Sequence, residues 1–157
     1  MTSRPVIIGF DGTPASERTV REAAALIAPL PALVVVVWEA GRAFEVATTP
    51  AFEAPSVVPD IEPAFDADQE VSEAAQRVAA RGAALAEEAG LDATSLAVPD
   101  DGTVADTLIR IAQEQNAQAI AVGAHSRRGI SDLFLGSTSR DLVQRAPCPV
   151  VVVPNAY

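Results

Sequence analysis

The sequence predicts an α/β fold: a single doubly wound domain built on a five-stranded parallel sheet. Three observations predict it. Five short apolar runs, Val6 to Phe10, Leu33 to Trp38, Ser95 to Val98, Ala119 to Val122 and Val150 to Val153, alternate with stretches of helical periodicity. The runs are continuous rather than interleaved with polar residues, as in parallel strands covered by helices on both faces. The length, 157 residues of which 49% are apolar, suits one domain with a full core.

Each element has a local reason. The first run ends in Asp11-Gly12-Thr13-Pro14, where a threonine hydroxyl can cap a helix and proline takes its first position. Val20, Ala23, Ala24 and Ile27 then mark one helical face. A longer helical face carries Val71, Ala74, Ala75, Val78 and Leu85, and a third carries Leu108, Ile111 and Ala112. Thr103 with Asp106 forms a capping-box pair ahead of that third face. Asp-Gly-Thr thus occurs twice, at 11–13 and 101–103; the composition of a tight strand-to-helix turn accounts for it better than an internal duplication.

Residues 41–68 break this rhythm with Pro50, Pro55, Pro59 and Pro63, many acids, and Phe44, Phe52 and Phe65. They are expected to form a long irregular insertion within the single domain at 1–157, and the phenylalanines suggest a segment that docks, as a lid or a dimer arm.

Composition narrows the function. Eleven basic against 21 acidic residues give a formal charge of −10, which argues against nucleic acid and anionic membrane surfaces as partners. No stretch is long enough to span a bilayer, and Asp11 and Gly12 interrupt the first apolar run, so a cytoplasmic location is expected. The chain has no lysine, which excludes a Walker-type phosphate loop and Schiff-base chemistry. The single cysteine, Cys148, excludes an internal disulfide and reads as a small apolar residue between Pro147 and Pro149. His125, the one histidine, has no second histidine or cysteine to complete a metal site and no pattern of a Ser-His-Asp triad. No catalytic residue and no metal ligand is assigned.

The segment from Gly123 to Ser139 carries the functional signal. Gly123 ends the fourth strand where the backbone needs freedom, and Gly136-Ser137-Thr138-Ser139 gathers hydroxyls and N–H groups at the start of a helix, a setting that favours phosphate. Arg127, Arg128 and Arg140 lie within or beside it, either as phosphate partners or as solvated surface charges. Gly123, Gly136 and Ser137 are spaced as in the phosphate-binding signature of the universal stress protein family: Gly, two residues, Gly, nine residues, Gly, then Ser or Thr. The opening Val6-Ile7-Ile8-Gly9-Phe10-Asp11-Gly12-Thr13 and the close Ala146-Pro147-Cys148-Pro149-Val150-Val151-Val152-Val153 also match, so the chain resembles that family over nearly its whole length. At the signature's second Gly it has Ser126 instead. A serine there would be strained if the backbone needs positive φ, yet would add a hydroxyl if it does not.

The resemblance implies a Rossmann-like fold of the adenine nucleotide alpha hydrolase type with strand order 3-2-1-4-5. Ligands then bind between the first and fourth strands, where the order reverses. It implies that Asp11, Thr13, Val37, Gly123, Ser126, Arg127, Gly136, Ser137, Thr138 and Ser139 contact ATP or a related adenine nucleotide, with Mg2+ as a companion of ATP. Asp11 and Thr13 read equally as helix caps, and Val37 as plain core. It further implies a homodimer through Val150 to Val153, a β-rich run that would otherwise leave an edge exposed. The leading reading is a nucleotide-binding regulator of the stress response acting on a regulatory protein partner. Alternatives are a nucleotide-free dimeric adaptor, marked by Ser126, and a slow ATPase or phosphotransferase with Asp11 and Asp132 as the available acids. A flavodoxin-type FMN module would need a phosphate loop after the first strand and aromatics to stack on the isoalloxazine, for which one Trp, one Tyr and five Phe, mostly in the insertion, offer little.

Overall fold

The computed structural model describes residues 3–39, 62–124 and 135–154. Among them the elements run β1 (Val6–Gly9), α1 (Pro14–Ile27), β2 (Pro31–Trp38), α2 (Glu62–Glu88), β3 (Asp92–Pro99), α3 (Val104–Glu114), β4 (Ala119–Gly123), α4 (Ser137–Arg145) and β5 (Val150–Val153). The five strands pair in parallel in the order β3-β2-β1-β4-β5, the order that the family resemblance implies.

Alternation along the strands divides the core in two. Val6, Ile8 and Phe10 of the first strand and its end, with Ala32, Val34 and Val36 of β2, pack with the buried faces of α1 and α2. Ile7, Val35, Ile120 and Val122 pack on the other face with Leu108 and Ile111 of α3 and Leu142 of α4. Ile7, Ile8 and Ile120 are fully buried, and each such side chain stabilises the fold by about 1.5–3 kcal/mol relative to exposure.

Three boundaries differ from the sequence expectation. β3 starts at Asp92, because all eight of its residues pair with β2, yet as an edge strand it exposes Asp92, Thr94 and Ser95 and so shows only part of its length as an apolar run. β2 likewise starts two residues early, at Pro31, the first position of the strand, where proline is tolerated. The irregular stretch does not reach Asp68, since α2 begins at Glu62; Pro63 falls in its first turn, where a missing N–H costs nothing. Phe44 and Phe52, with the lid or dimer-arm role expected of them, lie outside the described residues. Within α2 the buried stripe is Ala75, Ala79, Ala83 and Ala86, while Val71 is exposed, so small residues rather than large ones set how closely this helix approaches the sheet.

The two strand-to-helix turns that share Asp-Gly-Thr use the same chemistry. Gly12 and Gly102 both have positive φ, +80° and +88°. Thr13 and Thr103 cap α1 and α3 by accepting the N–H of Ser16 and Asp106 at 3.2 and 3.1 Å. The Asp11 and Asp101 N–H groups reach the hydroxyls of Ser16 and Thr107 at 3.4 and 2.8 Å. Local turn demands, applied twice, give the same triplet.

Asp106 also ties α3 to α4. Its Oδ2 accepts from the Thr103 N–H at 3.2 Å and the Thr103 hydroxyl at 2.8 Å, and its Oδ1 accepts from Arg145 Nη1 at 2.8 Å. The Thr103 hydroxyl first, and then Arg145, hold the Asp106 carboxyl below its ordinary value of 3.8. A carboxylate depressed on folding stabilises above its unfolded pKa and loses that contribution as pH falls through the folded one. Asp106→Asn should therefore melt below the wild type at pH 7, with the gap between the two closing as pH is lowered into and below the ordinary carboxylate range. Thermal melts of both proteins across that interval check it; a gap independent of pH would contradict it.

Candidate functional site

At the end of β1 the Phe10 N–H donates to the Val35 carbonyl at 2.9 Å, and the chain then leaves the sheet through Asp11, Gly12 and Thr13. Asp11 Oδ1 accepts from the Thr13 N–H at 3.0 Å and the Thr13 hydroxyl at 2.6 Å, an Asx turn that sets the capping threonine. The Ser16 hydroxyl donates back to the Thr13 carbonyl at 2.9 Å. Of the readings open for these residues, Thr13 is the cap of α1 and Asp11 orients it. Asp11 is exposed and Thr13 half-buried, so both also border the outside of the sheet.

Pairing carries this turn to its neighbours. β1 lies between β2 and β4, with Gly9 opposite Val35 and Ile8 opposite Ala121. Val37, two residues past Val35, and Gly123, two past Ala121, therefore sit at the carboxyl edge beside Asp11. Val37 is half-buried, packs against the α3–α4 side and pairs with Val98, so it forms floor rather than rim. After Gly123, the Ala124 N–H still bonds the Val153 carbonyl at 2.8 Å.

The helix that follows supplies N–H groups. Gly136 is the N-cap of α4 in extended conformation, and no side chain among the described residues caps it. The groups that open a helix have no intrahelical acceptor, and the helix dipole adds about 0.3–1 kcal/mol for an anion at an exposed N-terminus. Ser137 is exposed and Thr138 half-buried. Ser139 differs from the other two: it is 1% exposed and its hydroxyl donates to the Gly136 carbonyl at 3.0 Å. Its hydroxyl thus serves the helix end from inside. Arg140 is exposed on α4, and Ser126 and Arg127, with His125, Arg128 and Asp132, lie outside the described residues. Cys148 is half-buried, and burial pushes its thiol pKa up, in keeping with a packing residue.

Sequence reasoning missed Arg81 of α2. Its Nη2 donates to the Gly12 carbonyl at 2.8 Å and to Glu17 Oε1 at 2.8 Å. The partners are 69 and 64 residues away in the chain, and an arginine among the exposed positions of a helix gives no local sign of such a contact.

A parallel sheet whose order reverses at β1 and β4, with a capped glycine turn after one strand and a helix N-terminus following the other, defines the class of doubly wound α/β folds with a topological switch point between those strands. The family model described as the universal stress protein family matches residues 2–154, and this chain belongs to that family. A curated relative, a universal stress protein encoded in the 3′ region of a QAH/OAS sulfhydrylase gene of Thermus aquaticus, is 36% identical over 52 residues, 33% of this chain; the match spans only 38% of that relative. The universal stress protein from Archaeoglobus fulgidus in complex with dAMP has a TM-score of 0.65 at 20% identity, covering 97% of this chain and 98% of that one. A universal stress protein in complex with cAMP has a TM-score of 0.61 at 20% identity, covering 99% and 100%. Likeness at these identities shows the shared fold.

Gly12 is the position where the turn is least tolerant. Its φ of +80° disfavours any L side chain, and a Cβ would lie 3.1 Å from Val78 Cγ1. Gly12→Ala should lower stability by about 1–3 kcal/mol, read by denaturant unfolding against wild type; an unchanged midpoint would show that the turn relaxes freely.

Proposed function

We propose that this protein is a regulator that binds ATP or a related adenine nucleotide at the carboxyl edge of β1 and β4. The observation that carries the reading is the placement of the Asp11-Gly12-Thr13 turn and Gly123 on adjacent strands, with the N-terminus of α4 at Gly136, which no described side chain caps, following them. Asp11, Thr13 and Val37 would meet the base and ribose. Gly123, Gly136 and the N–H groups and hydroxyls of Ser137 and Thr138 would meet the phosphates, with Ser126 and Arg127 completing that side; Ser139 would contribute its N–H. The related structures with dAMP and cAMP support the ligand class. Among the described residues no group of three or more His, Cys, Asp or Glu side chains could hold a metal ion, so magnesium would arrive on the phosphates of ATP. No described helix is long and apolar enough to cross a membrane, and the acidic chain fits action in the cytoplasm on a protein partner rather than on nucleic acid.

Ser126 favours a second reading, a nucleotide-free adaptor in the same dimeric form. Calorimetric titration separates the two. Under the first, ATP binds the wild type at micromolar strength and Ser137→Ala weakens it about fivefold, as for one lost hydrogen bond. Under the second, the wild type binds no nucleotide and Ser126→Gly creates the affinity.

The homodimer is proposed through β5. It is the last strand of the sheet, with β4 on one side. The carbonyls of Pro149 and Val153 point to β4, bonded at 2.9 and 2.8 Å, so by strand periodicity those of Val150 and Val152 point to the open edge. A second β5 would satisfy that edge and remove an aggregation liability. Val152→Pro removes an edge N–H without touching the inner ladder, and should convert the dimer to a monomer in light scattering. A wild-type monomer, or a Val152→Pro dimer, would contradict the interface.

A further inference from the structure

The geometry points to Arg81 as a positioning residue for the nucleotide: it locks the Asp11–Thr13 turn from α2 and thereby sets the affinity for the adenosine part of the ligand. This rests on the binding reading above.

The reach of Arg81 is built into the packing. Gly82, the next residue, has no Cβ where one would lie 2.8 Å from both Phe10 Cδ1 and Val34 Cγ1. That notch lets α2 settle against the end of β1, one residue before the turn. Val78, one helical turn earlier, fills the space beneath Gly12, 3.1 Å from where a Cβ would be. Arg81 then donates to the Gly12 carbonyl at 2.8 Å. The same nitrogen is fixed by Glu17 of α1 at 2.8 Å, and Arg21 approaches the other Glu17 oxygen at 3.7 Å. The turn is thus held at its midpoint from a different helix, between Asp11 and Thr13.

This contact is poorly explained as a stability device. Arg81 and Glu17 side chains are 54% and 28% exposed, and pairs of that exposure contribute little to folding. What the contact does fix, from a distant helix, is one peptide group of a turn that is otherwise tied by local bonds, among them Thr13 N–H to Asp11, Ser16 N–H to the Thr13 hydroxyl and Glu17 N–H to the Thr13 carbonyl. Releasing the Gly12 carbonyl frees the turn to reorient while the sheet stays intact. The phosphate side, carried by α4, is untouched, so every adenine nucleotide should feel the loss alike.

The test uses the full-length protein with Arg81→Met and Arg81→Lys, titrated with ATP and with AMP, alongside amide hydrogen exchange without nucleotide. Arg81→Met should weaken ATP and AMP by the same factor, about three- to tenfold, with faster exchange at Thr13 and Ser16, unchanged exchange in β1 and β4, and a melting temperature near that of the wild type. Arg81→Lys, which keeps the positive charge and an N–H donor on a shorter side chain, should fall between. Unchanged exchange at Thr13 and Ser16, or unchanged nucleotide affinity, would overturn the role of Arg81 alone. A wild type that binds no adenine nucleotide would overturn the binding reading and this extension with it.

Discussion

The parallel pairing of β1 with β4 is the contact on which the rest of the molecule depends. β1 has β2 on its other side, so the chain winds one way through β2 and β3 and the other way through β4 and β5. The helices follow: α1 and α2 cover one face, α3 and α4 the other. Where the winding reverses, the helix after β1 and the helix after β4 lie on opposite faces of the sheet, the arrangement at which doubly wound sheets bind their ligands. Ile7, Ile8, Ile120 and Ala121, four of the six paired residues, are all 0% exposed, so this edge of the sheet is anchored on the most deeply buried part of the core.

Gly12 supplies a left-handed turn after β1, and the caps at Thr13 and Gly136 differ in a way that matters. At α1 the helix start is closed by its own threonine, with Asp11 holding the hydroxyl. At α4 no side chain among the described residues does this, and the Ser139 hydroxyl bonds a carbonyl instead of an N–H. One helix start is satisfied from within; the other has N–H groups that an anion can satisfy. Under the proposed function, that contrast favours the base and ribose at the first strand's turn and the phosphates at α4.

Much of this was legible in the sequence because it is local. Thr13-Pro14 and Thr103 with Asp106 cap the helices they announce, and the central strands show as unbroken apolar runs because both faces are covered. β3 was legible only in part, since an edge strand exposes residues such as Thr94 and Ser95 that mask its length. The packing of α2 was misjudged at Val71, because alanines and Gly82, not large apolar residues, determine its approach. Ser139 looked equivalent to Ser137, and only helix geometry separates the buried hydroxyl from the exposed one. Arg81 left no trace, because its partners are brought to it by the fold and not by spacing.

The central claim is that the β1 turn and the α4 N-terminus form one adenine-nucleotide site. Backbone amide chemical-shift mapping with AMP tests it most directly. The account predicts saturable shifts concentrated at Asp11 to Thr13, Val37, Gly123 and Gly136 to Ser139, with β3 and the carboxyl end of α1 unmoved. Shifts confined to another surface, or none at millimolar AMP and ATP, would contradict it.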